Sequence, residues 1–433
     1  MNVLVVGSGA REHAIAWKLA SPREGGGSDR GLAQGRKVTR LYVAPGNAGT
    51  AAIAENLPVS ATDIEGLARI AKEKRVGLTV VGPEAPLAAG IVDRFQELGM
   101  AAFGPSRAAA RIEASKAFAH DLMERHGIPC ASGRVFTTYA EARAYLEQTP
   151  LPIVVKADGL AAGKGVTVAA TRAEALRALH DCMVARVFGP SGDVVVIEEC
   201  LAGREVSVFA FTDGVHLSPL VAACDYKRIG DGDRGPNTGG MGSYSPPEFW
   251  TPALAAEAME RIMRPTVRAL ADEGCPYRGV LYGGLMLTED GLKSLEFNCR
   301  LGDPETQVVL PRLETDLLEI VLATLEGRLD SLTIRWRDEA CVGVVLASPG
   351  YPGDYPKGLH IEGLDRVGQD ALVFHAGTRI ENGRVVTDGG RVLTVAALGY
   401  DMASARQRAY EGVSRIRFQG AQYRKDIALR AVE

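Results

Sequence analysis

The residues best equipped for chemistry lie on and beside loops crowded with glycine. In Leu295-Glu296-Phe297-Asn298-Cys299-Arg300-Leu301-Gly302-Asp303-Pro304-Glu305, strand alternation puts Glu296 and Asn298 on one face. Two hard oxygen donors projecting together suit a Mg²⁺ ion shared with substrate phosphates, and Arg300 in the turn beyond can clamp a carboxylate or a phosphate. Phe297 then faces the core. The plainer alternative is a surface Glu/Asn pair at a strand end.

A second candidate is Lys156, a strand lysine followed by the small-residue loop Asp158 to Gly165. The spacing is not that of a Walker A loop, because Gly165 stands where a hydroxyl belongs and a strand, not a helix, follows. Small residues let backbone N–H groups close over a polyphosphate while Lys156 neutralises an inner phosphate; the alternative is an exposed hairpin with a solvated lysine. Glu198-Glu199-Cys200-Leu201, then Glu205, put acids at a strand end, where a backbone hinge can read an adenine edge and a carboxylate can accept ribose hydroxyls. A solvated acidic turn is the bland reading.

Gly7-Ser8-Gly9-Ala10-Arg11-Glu12 opens like a dinucleotide fingerprint, but Glu12 occupies the third glycine position, where a bulky charge is expected to obstruct close helix–strand packing. A tight turn before a helix N-terminus still offers free N–H groups, and Arg11 adds charge, so one phosphate is the better expectation. Asp225-Tyr226-Lys227-Arg228 and the loop Gly230 to Gly242 are rich in glycine and mixed charge, and a loop of that length inside a compact domain is more often functional than idle. No Ser/His/Asp or Cys/His constellation is apparent, and the histidines lack metal-ligand spacing.

The elements that must position these residues follow from periodicity. Val3 to Val6, Leu41 to Val43 and Leu78 to Val81 are apolar strands, each ending in a glycine-containing loop and alternating with amphipathic helices such as Ile64 to Arg75. That is a doubly wound parallel sheet with a binding crevice beyond its carboxyl ends. A helix is expected from Arg111 to His126. Antiparallel signals then mark Pro152 to Lys156, Val166 to Val168, Val194 to Ile197 and Glu205 to Phe211, followed by a helix near Leu254 to Asp272 and strands Gly283 to Leu287 and Lys293 to Phe297. The last portion carries Val342 to Leu346, Val392 to Leu398 and a closing helix around Ala403 to Ile416, a small domain packed on the rest. Ser21 to Lys37 reads as a polar surface loop.

At 433 residues the chain predicts about three domains, and 46% hydrophobic content is that of a globular enzyme. A net charge of −4 gives no general attraction to nucleic acid or to an anionic membrane, so anions must be held by local groups. The 7 cysteines are scattered and read as reduced thiols. No apolar run approaches a membrane span, and the start MNVLVVGSGA enters a strand without a signal-peptide pattern. A cytoplasmic protein is expected.

Taken in order, VVGSGAREHA, YVAPGNAGT, VVGPEAPL, FGPS, SKAF, VVKADGLAAGKGV, VIEE, DYKRIGDGDRGPNTGGMGSYSP and LEFNCRLGDPETQ resemble the ATP-grasp carboxylate–amine ligases over residues 1 to about 318, with weaker motifs beyond. The resemblance implies an N-terminal substrate domain over 1–110, an ATP-grasp body over 111–335 with a mobile lid at about 135–205, and a C-terminal domain over 336–433. It implies that ATP phosphorylates the carboxylate of glycine and that the amine of 5-phosphoribosylamine attacks the glycyl phosphate, early in purine synthesis. Lys116, Lys156, Gly159, Gly163 and Gly165 would hold the ATP phosphates, Glu198, Glu199 and Leu201 the adenine, and Glu205 the ribose. Glu296 and Asn298 would ligate Mg²⁺ or Mn²⁺. Gly9, Arg11, Asn47, Gly49 and Glu84 would line the ribosyl phosphate site, with Asp225, Lys227, Asn237, Arg300, Asp303 and Glu305 around the reacting amine and glycine. A monomer acting on small molecules, without nucleic acid or membrane, is expected.

The sequence departs from the family pattern in the longer Ser21 to Lys37 loop and in Cys224, which stands where glutamine is common. The rival readings are another ATP-grasp ligase of purine or carboxylation chemistry, including a biotin-carboxylase-like enzyme, and a regulator that kept the fold and lost the chemistry. A regulator would be expected to lack a metal ligand or a phosphate lysine.

Overall fold

The structure is a computed structural model that describes residues 1–21, 37–160 and 165–432. The expected surface loop therefore falls almost entirely outside the described residues. Strands β1 (Asn2–Gly7), β2 (Arg40–Pro45), β3 (Glu55–Asn56), β4 (Val76–Val81) and β5 (Ala102–Phe103) form a parallel sheet in the order β3-β2-β1-β4-β5. Val3, Leu4, Val5 and Val6 are fully buried, as a strand covered on both faces requires. Helices α1 (Ala10–Ala20), α2 (Ile64–Glu73), α3 (Glu84–Ala88) and α4 (Ile91–Glu97) accompany the sheet. The strand order reverses around β1, and the Gly7 and Gly82 turns leave from its two central strands.

The helix expected from Arg111 to His126 is two: α5 (Arg107–Ala114) and α6 (Lys116–Arg125). Ser115 lies between them in an extended conformation, and its hydroxyl accepts a 3.1 Å bond from the Phe118 N–H. Asp158 accepts from the Ala117 N–H at 3.0 Å and so fixes the same helix start to the glycine-rich loop.

Strands β6 (Gly133–Phe136), β7 (Ile153–Ala157), β8 (Val166–Ala169) and β9 (Val195–Glu199) make an antiparallel sheet in the order β6-β9-β7-β8, covered by α7 (Tyr139–Gln148) and α8 (Arg172–Met183). It has its own core, with Phe136, Leu146, Ile153, Leu179 and Ile197 packed only on one another's neighbours in this unit. A separately cored unit can move as a body without opening another core.

From here β10 (Arg204–Thr212), β11 (Val221–Asp225), the hairpin β12 (Arg228–Gly230) and β13 (Arg234–Asn237), β14 (Gly242–Ser245), β15 (Gly279–Thr288) and β16 (Gly291–Asn298) follow. Helices α9 (Pro252–Ala258) and α10 (Arg264–Asp272) flank a π turn at Met259–Met263, just before Pro265, which cannot donate to the ladder. After α11 (Thr306–Val309) and α12 (Leu317–Glu326) come β17 (Ala340–Ala347), β18 (Leu372–His375), the hairpin β19 (Thr378–Glu381) and β20 (Arg384–Thr387), β21 (Arg391–Gly399) and α13 (Met402–Arg415).

The C-terminal portion is joined more closely than packing alone. One 8-stranded sheet runs β16-β15-β10-β11-β14-β17-β21-β18, its antiparallel β14–β17 ladder carrying the central body straight into the C-terminal part. Cα partners Gly242 and Val344 share that seam. Among the described residues no helix is long and apolar enough to cross a membrane.

Candidate active site

Lys116 and Lys156 come together because Ser115 starts α6 beside the β7–β8 hairpin. The Lys116 Nζ donates to the Gly159 carbonyl at 3.0 Å, and the Lys156 Nζ donates to the Leu295 carbonyl at 3.0 Å, which brings β7 against β16. Burial, reinforced by the neighbouring Lys156 charge, holds the Lys116 ammonium below the usual lysine range, while Glu296 pulls it back up. Gly159 adopts φ +92, and a Cβ there would lie 2.6 Å from the Ser191 hydroxyl. Gly165 accepts from the Ala157 N–H at 2.8 Å at the hairpin's return. Gly163 lies outside the described residues.

Lys156 also pairs with Glu198 at 2.5 Å, and His120, itself buried, stands 3.4 Å from the same carboxylate. Burial pushes Glu198 up, but these two neighbours hold it below the usual carboxylate range. Its side chain is thus engaged by protein. Glu199 accepts from the Ser132 N–H at 2.9 Å and faces Lys293 at 3.5 Å. Leu201 is half-buried beyond it, and Glu205 pairs with Lys227 at 2.5 Å.

Glu296 and Asn298 share one face of β16 and buried Phe297 points the other way, as alternation requires. Neither carboxylate nor amide makes a hydrogen bond or ion pair within the described residues. Two open oxygen donors beside two lysines fit a divalent cation that takes its remaining ligands from phosphates and water, the habit of Mg²⁺. No group of three or more His, Cys, Asp or Glu able to cage a metal occurs among the described residues.

Across the sheet edge lies a buried chain of charges. Arg11 donates to Glu12 at 2.6 Å and lies 3.8 Å from Glu84; Arg300 bridges Glu84 at 3.2 Å and Glu113 at 2.7 Å. Glu113 also accepts from the Cys299 N–H at 2.8 Å. This acid, three residues before Lys116, is a missed member of the site; its only sequence signal is an acid on the apolar face of α5. Half-buried Arg300 is held charged by its acidic partners, Glu113 first and then Glu84, which also fix the direction of its guanidinium.

Glu12 does not obstruct the turn. It is 2% exposed, and Gly7, Gly9 and Gly82 make room for it: a Cβ on Gly82 would lie 2.3 Å from its Oε1. Its carboxylate accepts from the Gly9 N–H at 2.6 Å, so that donor is already used by protein. Asn47 and Gly49 are likewise engaged by protein. The Asn47 amide donates to the Ser8 and His375 carbonyls at 2.8 and 2.7 Å and accepts from the Gly49 and Thr50 N–H groups at 2.9 and 3.0 Å. A Cβ on Gly49 would lie 2.3 Å from the His13 ring, so this glycine serves a close approach of His13 and His375.

Around the third cluster, Asp303 pairs with Arg391 at 2.9 Å and accepts from the Gln307 amide at 2.8 Å. Glu305, 4% exposed, accepts from Ser207 at 3.1 Å, and Ser207 in turn meets the Tyr282 hydroxyl at 2.9 Å. Burial, with Asp225 adding repulsion, lifts Glu305 to about 7, so it can hold or release a proton near neutrality. Burial likewise raises Asp225. Asn237 stands exposed on β13, paired in register with Arg228. The tip of this hairpin is otherwise occupied: buried Arg424 bonds Asp233 at 2.8 Å and Asp426 at 2.6 Å.

Three consecutive parts of one family match the chain: the phosphoribosylglycinamide synthetase N domain over residues 1–113, its ATP-grasp domain over 114–306 and its C domain over 341–430. The phosphoribosylamine–glycine ligase of Allochromatium vinosum is 52% identical over 436 residues, covering 100% of this chain and 99% of that protein. That of Halalkalibacterium halodurans is 50% identical over 432 residues, with 100% and 97% covered. The crystal structure of the Thermotoga maritima phosphoribosylamine–glycine ligase superposes with a TM-score of 0.84 at 34% identity, covering 99% and 100% of the two chains. A biotin carboxylase from Campylobacter jejuni shares the fold, with a TM-score of 0.71 at 13% identity over 98% and 93%. With an N domain, an ATP-grasp domain and a C domain matched in order, this chain belongs to the phosphoribosylglycinamide synthetase family of ATP-grasp proteins.

Proposed function

We propose that the protein is an ATP-dependent ligase that joins glycine to 5-phosphoribosylamine through glycyl phosphate, giving glycinamide ribonucleotide, ADP and phosphate in de novo purine synthesis. The observation that carries this reading is the meeting of Lys116 and Lys156 with the open Glu296/Asn298 face, in a chain that the family's three domains match over residues 1–306 and 341–430. Lys116 and Lys156 neutralise ATP phosphates while the Glu198–Leu201 backbone receives adenine and Glu205 the ribose. Glu296 and Asn298 would hold a divalent cation, Mg²⁺ or Mn²⁺, which when bound offsets phosphate charge and makes the γ-phosphorus more electrophilic. Asn237, Arg300, Asp303 and Glu305 orient the glycine carboxylate and the amine. The carboxylate takes the phosphoryl group; the amine then forms the C–N bond as the C–O bond to phosphate breaks. The catalytic work is positioning and charge neutralisation. The separately cored lid closing over this centre would keep water from the acyl phosphate. We place the enzyme in the cytoplasm as a monomer.

ADP release by the purified protein should require both glycine and phosphoribosylamine and should vanish in Glu296→Ala. Turnover with a different acid and amine, and none with this pair, overturns the assignment.

A further inference from the structure

The C-terminal portion enters the site through a residue that no motif contains. Arg391 opens β21 just after the Asp388-Gly389-Gly390 turn. Its Nη2 pairs with the Asp303 Oδ2 at 2.9 Å, and its Nη1 donates both to the Asp303 carbonyl at 3.1 Å and to the Gly239 carbonyl. The Gly239 N–H donates at 2.9 Å to the hydroxyl of Tyr351, a second C-terminal residue. Both peptide groups of the Gly239 turn are therefore held from the C-terminal side.

The glycines of this turn exist for that grip. A Cβ on Gly239 would come 3.1 Å from the Arg391 guanidinium carbon, and one on Gly240, at φ +106, would come 2.4 Å from Pro304. The Gly239–Gly240 turn thus presses directly on the Arg391–Asp303–Pro304 unit. With Gln307 holding the other Asp303 oxygen at 2.8 Å, the carboxylate is fixed at both ends. Asp303 stays ionised because Arg391 and Arg11 outweigh its burial, so it reaches electrostatically toward the N-terminal turn as well.

We propose that Arg391 is a positioning residue for the amine-transfer half of the reaction, locking Asp303 and the Gly239 turn between β13 and β14 into one rigid wall. This rests on the function proposed above. The role needs a planar fork: one guanidinium holds a carboxylate, its backbone carbonyl and a second loop's carbonyl at once, which a lysine ammonium cannot do in the same geometry.

The test is steady-state kinetics of the full chain with Arg391→Lys, Arg391→Ala and Tyr351→Phe, alongside Asp303→Asn and the Arg391→Lys/Asp303→Asn double variant. In Arg391→Lys, kcat/KM for phosphoribosylamine should fall by about tenfold or more, the effect of weakening hydrogen bonds to a charged group, while KM for ATP moves less than about twofold. The double variant should lose less than the sum of the two single losses, because Arg391 and Asp303 act as parts of one unit. Tyr351→Phe should shift the same parameter in the same direction by less. Unchanged kinetics in Arg391→Lys, equal losses in both substrates' parameters, or additive losses in the double variant overturn the proposal. If Arg391→Ala fails to fold, Arg391→Lys and Tyr351→Phe still decide the matter. Wild-type protein with no ADP release dependent on glycine and phosphoribosylamine would instead overturn the function itself.

Discussion

Asn47 separates a residue that touches substrate from one that builds the site. The sequence resemblance puts it on the ribosyl phosphate, yet its amide makes four protein hydrogen bonds, to Ser8, His375, Gly49 and Thr50, while buried at 6% exposure. Asn47→Ala removes all of them without replacing any. At about 1 kcal/mol for each buried bond the loss is roughly 4 kcal/mol. If the cooperative unit is of about 150–250 residues, where 1 kcal/mol moves Tm by about 2–4 °C, the variant should melt about 10 °C lower. Asn47→Asp keeps the acceptors for Gly49 and Thr50 but sets a carboxylate against the Ser8 and His375 carbonyls, so it should be destabilised as well. Hydrogen exchange adds a local readout: the Gly49 and Thr50 amides should lose protection in the alanine variant and keep it in the aspartate variant. A melting point unchanged in Asn47→Ala, with KM for phosphoribosylamine alone raised, would refute the reasoning and return Asn47 to the substrate.

Two further outcomes follow from the same region. Burial lowers His13 to about 3 and His375 to about 4, so both are neutral in the fold. The unfolded chain takes up these protons first, near pH 6.5; stability is therefore complete above that value and is lost as pH falls toward the folded values, with a limiting slope on the order of 1 kcal/mol per pH unit for each. Melting temperature followed from pH 7 to pH 5 should decline less steeply in His375→Gln than in wild type, and parallel curves would contradict this. Gly82→Ala puts a Cβ 2.3 Å from the Glu12 carboxylate, an overpacking that costs about 1–3 kcal/mol in denaturant titration. Much of that added cost should disappear when Gly82→Ala is made in a Glu12→Ala background, and strict additivity would show that the clash is relieved elsewhere.

The sequence made legible what is settled within a few residues. β1, β4, β7, β8 and β16 were readable because each is an apolar or alternating run that stops at a turn residue, and the common face of Glu296 and Asn298 follows from the two-residue period alone. What escaped depends on a partner far along the chain. Glu12 reads as an obstruction until Gly82 is seen to lie against it. That the C-terminal domain shares a sheet with the central body shows only where β14 pairs with β17. The break at Ser115 likewise depends on Asp158, which lies far along the chain and fixes the start of α6.

The same distinction explains how a mildly acidic chain builds sites for anions. Arg11, buried, and Arg300, half-buried, could not stay charged there alone, because desolvating a guanidinium without a partner is costly. Glu12, Glu84 and Glu113 offset that cost and aim the guanidinium groups at the same time. Arg391 is held between Asp303 and Gly239 by the same means. Acids that look from composition like a hindrance to binding anions are thus what keeps the arginines charged and in place. Removing one, as in Glu113→Gln, should therefore weaken substrate binding even though it makes the site more positive.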